Sequence, residues 1–101
     1  MSEDAHRFRR TLERAVLVLR GMAYEHRLHL LVVLRDGERS PTELADLLAV
    51  DSTVLAHHLR FLVDARLVRR QRRGRNVFYT LRDAGVRRLT EEVLRCAEDT
   101  R

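Results

Sequence analysis

Lysine is absent from this chain of 101 residues, and all 20 of its basic side chains are arginine. A GC-rich coding bias accounts for the missing lysine but not for where the arginines gather. Cysteine occurs once, as Cys96, so no disulfide forms within one chain. No apolar run approaches the roughly 20 residues that a membrane span needs. The stretch from Met1 to Arg14 is charged throughout and lacks an apolar core, so no secretory signal is expected and the expected location is cytoplasmic. There is no glycine-rich phosphate loop, no Cys/His pair with an orienting acid and no evident carboxylate pair, so no enzyme is expected.

What is present is basic and well solvated. The formal net charge is +5 and 35% of residues are charged, against 45% hydrophobic. The length suits one domain, residues 1–101, that buries only about 60–65% of its unfolded surface and would gain from a second subunit. Arginine carries a planar fork of donors that fits phosphate and the edge of guanine, which points to nucleic acid as the partner.

Four glycines and one proline punctuate the chain. Leu12, Ala15, Val16 and Leu19 fall at helical spacing in a first helix over about 5–20. A second helix is predicted from Met22 to about Arg35, with Leu28, Leu31, Val32 and Leu34 as core, ending at Asp36-Gly37. Ser40-Pro41-Thr42-Glu43 reads as N-cap, Pro at N1 and a capping box, opening a third helix to about Leu48 with Leu44, Leu47 and Leu48 apolar. Asp51 is a good N-cap for a fourth helix, Ser52 to about Asp64, with Leu55, Leu59 and Leu62 on one face. Two short helices joined by so tight a turn form a helix-turn-helix over about 40–64, whose second helix normally enters the major groove.

Next, Arg66, Arg69, Arg70, Arg72, Arg73 and Arg75 fall within ten positions with no acid among them. Val77, Tyr79 and Leu81 alternate with Phe78 and Thr80, so the run from about 67 to 81 reads as a hairpin tipped at Gly74, a basic wing. A last helix, about 83–98, carries Val86, Leu89 and Val93 on one face. The fold expected is mainly α with a small β-hairpin wing, in the order α-α-α-α-β-β-α. Ser52, Thr53, His57 and Arg60 are the candidates for DNA contact on the fourth helix, with Arg69, Arg70, Arg72, Arg73 and Arg75 on the wing. His58 is expected to pack or hydrogen-bond at the back of its helix.

Arg27-Leu28 with Leu30-Leu31, Thr42-Glu43-Leu44-Ala45, Val54-Leu55-Ala56-His57-His58-Leu59, Leu67-Val68, Gly74-Arg75 and Phe78-Tyr79-Thr80-Leu81 occur in an order and spacing that resembles the ArsR/SmtB family of bacterial winged-helix regulators. The resemblance covers about residues 12–99. It implies a homodimer through the first and last helices, which agrees with the stripes Leu12/Val16/Leu19 and Val86/Leu89/Val93. It also implies binding to an inverted-repeat operator and control of transcription, often answering to a metal or other inducer. An alternative is a partner-dependent protein-interaction module, with weak DNA affinity of its own, that acts with a co-regulator protein.

At the family's sensor positions the sequence departs. The third helix has no cysteine, and the positions of the last-helix site are Asp83, Gly85, Cys96 and Asp99. Asp83, Cys96 and Asp99 remain the candidate ligands for nickel or zinc, with Cys96 as a small apolar residue of the dimer interface the alternative reading; His6, His26 and His29 are a second set, alternatively plain surface residues. Arg66 stands where the family usually has glycine, so a non-glycine residue is expected in the left-handed region.

Overall fold

The computed structural model describes residues 2–98. Its elements run α1 (Glu3–Met22), α2 (Glu25–Leu34), α3 (Pro41–Leu48), α4 (Ser52–Asp64), β1 (Val68–Arg73), β2 (Asn76–Leu81) and α5 (Ala84–Glu98), in the order expected.

The helix starts follow from local chemistry. Ser2 caps α1 by accepting from the Ala5 N–H. Ser40 and Glu43 form the reciprocal capping box at α3, each side chain bonding the other's backbone N–H. Asp51 caps α4 by accepting from the Thr53 N–H at 2.7 Å. The α3–α4 turn is made by Ala49 in the left-handed region, φ 54°, its N–H closing back on Ala45 and Asp46.

One boundary differs from expectation. Met22 ends α1 rather than starting α2, and Gly21 lies inside the first helix. Two contacts explain it. Gly21 lets α1 approach closely, since a Cβ there would sit 2.7 Å from Leu67 Cδ1. Arg27 then caps the helix end, donating from Nε to the Gly21 carbonyl at 2.9 Å and from a terminal nitrogen to the Arg20 carbonyl at 2.8 Å.

The core is built around α2, which touches α1, α3, α4, α5 and β2. Leu30, Leu31 and Leu34 of α2 meet Leu44 and Leu48 of α3, Leu55, Leu59 and Leu62 of α4, then Leu67, Val68 and Val86. Each fully buried leucine contributes on the order of 1.5–3 kcal/mol relative to exposure. Leu30 is a core residue that spacing does not single out, because a helix apolar on most faces carries no phase. Leu47, the third apolar residue of α3, is half-exposed.

The hairpin pairs Val68 with Leu81 through Arg73 with Asn76, and Gly74 at φ 62° turns the tip. A third short strand contact, Arg39 with Tyr79, ties the hairpin to the loop before α3.

The last helix corrects the expected interface. Val86 is only 3% exposed and belongs to the chain's own core, so it is not available to a partner. Leu89 and Val93 lie half-buried against the same core. The first helix does the opposite. Phe8, Leu12, Val16 and Leu19 are 65%, 49%, 42% and 58% exposed. No helix of the described residues is long and apolar enough to cross a membrane.

Candidate nucleic-acid interface

Helix α4 is divided by its periodicity. Leu55, His58, Leu59 and Leu62 are buried, and Ser52, Thr53, Ala56, His57 and Arg60 share the opposite, exposed face. The hydroxyls of Ser52 and Thr53 sit in the first turn beside the capping Asp51 carboxylate, whose Oδ1 accepts from the Thr53 N–H at 2.7 Å and from the Ser52 hydroxyl at 3.5 Å. A hollow of about 260 Å³ opens beside them, with Thr42 and Asp46 of α3, Ala56 of α4 and Tyr79 of β2 in its wall.

The wing presents its arginines unevenly. Arg69, Arg70 and Arg75 are exposed and take part in none of the ion pairs among the described residues. Arg72 bends back to the Gly74 carbonyl at 3.3 Å. Arg73 is paired with Glu38 and lies 4.3 Å from the Phe78 ring centroid. Glu38 belongs to the loop before α3, 35 positions away, and no signal in the sequence announces the contact.

Behind α4, His58 is 7% exposed, as expected of a packed histidine, but its Nδ1 has no hydrogen-bond partner. Its ring lies 5.2 Å from Tyr24, 5.5 Å from His26 and 5.8 Å from His57 between centroids. Arg27 stands over both Tyr24 and Phe61, at 4.9 and 4.1 Å. Burial holds the His58 imidazole below its usual value, and Arg27, His26 and His57 push the same way.

The candidate metal donors do not make a site within one chain. Asp83 caps α5: Oδ1 accepts from the Val86 N–H at 3.0 Å and Oδ2 from Arg82 Nε at 2.9 Å. These bonds, the Val86 one first, hold its carboxyl below the usual carboxylate range. Cys96 is exposed near the far end of α5, roughly 20 Å along the axis at about 1.5 Å per residue. Asp99 lies outside the described residues. His26 turns to His58, and among the described residues no three His, Cys, Asp or Glu side chains gather to hold an ion, so His6, His26 and His29 do not converge. Among the described residues of one chain, the donors do not come together as a nickel or zinc site.

Comparison with known proteins agrees with this geometry. Residues 25–70 match the family model described as bacterial regulatory protein, arsR family. The transcriptional activator HlyU of Vibrio cholerae is 37% identical over 78 residues, 77% of this chain and 72% of HlyU. The HTH-type transcriptional regulator NmtR of Mycobacterium tuberculosis is 34% identical over 75% of this chain, a stretch spanning 63% of NmtR. Among solved structures, HlyU from Vibrio cholerae superposes with TM-score 0.77 at 32% identity, covering 95% of this chain and 97% of that one. The homodimeric winged helix-turn-helix DNA-binding domain from Mycobacterium bovis, solved by NMR, reaches 0.89 at 26% identity, covering 98% and 89%. With its helix order, capped helix-turn-helix and arginine wing, this chain belongs to the ArsR family of winged helix-turn-helix transcription regulators.

Proposed function

We propose that two copies of this chain form a homodimer that binds an inverted-repeat operator and regulates transcription from it. The carrying observation is the pairing of two exposed surfaces: the polar face of α4 beside an arginine hairpin, and the apolar stripe of α1. Ser52, Thr53, His57 and Arg60 read the major groove, and Arg69, Arg70, Arg72, Arg73 and Arg75 hold phosphates on either side of it. Phe8, Leu12, Val16 and Leu19 of α1 are the self-complementary patch, since a helix apolar on an exposed face lacks a stable home alone. Val86 is excluded from that patch, and the inward-facing sides of Leu89 and Val93 add little to it.

Fluorescence anisotropy of the purified protein against DNA from its own upstream region tests this reading. Tight, salt-sensitive binding of two chains per inverted repeat is expected. Binding no tighter than to random duplex would overturn it. The same titration with added zinc or nickel is expected to be unchanged. A shift would return Asp83, Cys96 and Asp99 as donors shared between two chains.

A further inference from the structure

Helix α1 has a second face, which sets Arg14 beside two apolar residues. Arg14, Leu17 and Val18 lie one to two turns before Gly21 on the side turned toward the body of the chain. That side is opposite the stripe of Phe8, Leu12 and Val16. Between this face and the turn joining α4 to β1 runs a groove of about 320 Å³, walled by Arg14, Leu17, Val18, Asp64, Arg66 and Arg82. It continues past Arg66 and Arg82 to Arg69 at the base of the hairpin.

Each cation is placed by the backbone. Arg66 is held at φ 60°, in the left-handed region that an arginine rarely adopts. Arg82 is fixed by its N–H to the Leu67 carbonyl at 3.0 Å, and its pair with Asp83 uses only Nε. Arg14 and Arg66 enter none of the ion pairs among the described residues. Asp64 is the single acid in the wall. Leu17 is 50% exposed in the same groove, an apolar surface that hydrated phosphate or a DNA strand has no means to use.

The geometry points to this groove as a binding site for a small amphipathic organic anion, a carboxylate with a short apolar body. The carboxylate lies among Arg14, Arg66 and Arg82, and the body covers Leu17 and Val18. Such a ligand would bridge α1, the end of the recognition helix and the base of the wing, the parts that set dimer geometry and DNA contact. This goes beyond the regulator reading, and the binding itself is independent of it.

Octanoate is a suitable probe, titrated calorimetrically into the full chain at low salt and without DNA. Saturable binding is expected, weaker for acetate and absent for octylammonium. Arg66→Gly relieves the backbone, so it keeps the fold, and it is expected to weaken octanoate about tenfold, as is Arg14→Gln. Unchanged affinity in folded Arg66→Gly would overturn the site. So would inorganic phosphate binding as well as octanoate, which marks a general anion surface, or displacement of octanoate by random-sequence duplex, which marks a DNA contact. Because DNA is absent from the primary titration, its failure leaves the operator-binding reading intact.

Discussion

Arg73, on the hairpin, is held by Glu38 on one side and lies over the Phe78 ring on the other. Its partner comes from the loop that opens the helix-turn-helix. The wing is thereby fastened to the DNA-reading unit through a cation that also faces solvent. The fastening and the proposed phosphate contact draw on the same guanidinium.

Replacing Glu38 with Gln frees that guanidinium. The expected outcome is a steeper dependence of log affinity on log salt, by up to about 0.9, the scale of one added phosphate contact. Arg75→Ala removes an unpaired arginine at the turn and is expected to flatten the slope by about the same amount. Anisotropy over a salt series measures both, and an unchanged slope in Arg75→Ala would count against the wing as a DNA contact.

His58 makes stability depend on acid. Its folded-state value is lowered, by burial first and then by Arg27, His26 and His57. A base with a lowered folded value binds its proton more readily when unfolded. Its neutral form therefore supports the fold fully above the unfolded value of about 6.5, and that support is lost as pH falls below it. Thermal melts from pH 7.5 to 5 are expected to show a midpoint that drops below pH 6.5. His58→Leu, which removes the unpartnered Nδ1, should flatten that acid limb; an equal drop in both proteins would assign it to other groups.

The α1 stripe predicts the assembly state. Leu12→Asp with Val16→Asp should give a monomer in sedimentation, with helical content largely kept because both positions are exposed in the single chain. Affinity for the full inverted repeat should fall by on the order of 100-fold, as two linked half-site contacts become one. A dimer that survives both substitutions would place the interface elsewhere.

Two positions where α1 meets the turn joining α4 to β1 should respond in opposite directions. Gly21→Ala drives a methyl to within 2.7 Å of Leu67 Cδ1 and is expected to cost about 1–3 kcal/mol. Arg66→Gly removes left-handed strain of about 1–2 kcal/mol, partly offset by the flexibility of glycine, for a net gain of roughly 0.5–1 kcal/mol. Chemical denaturation of the two variants checks both signs.

The starts of α3 and α4 were legible because each is written within four residues, at Ser40 to Glu43 and at Asp51, whereas α2 has no side-chain cap at Tyr24 and its start was missed. The left-handed Arg66 was legible from the resemblance, since glycine is usual there. The wing and the face of α4 followed from alternation and helical spacing. What escaped has a common origin in distance along the chain. Val86, Leu89 and Val93 make as good an apolar stripe as Leu12, Val16 and Leu19, and periodicity alone does not say whether a stripe faces its own core or a partner. Arg27 entered the sequence reading only as part of the resemblance, and its cap on the Gly21 carbonyl comes from a residue six positions along, in the next helix. Glu38 and Arg73 are too far apart in sequence to suggest each other, as are Tyr24, His26 and His58.

Arg27 ties the end of α1 to the recognition helix, bonding the carbonyls of Arg20 and Gly21 while stacked between Tyr24 and Phe61. In a dimer built on α1, that joint is the bracket on which each reading head is mounted. Half-sites one turn of DNA apart demand heads about 34–36 Å from centre to centre. Under the proposed dimer, the ruler for operator spacing would be set at Arg27, and a change there is expected to alter which gap between half-sites is preferred while leaving the preferred bases as they were.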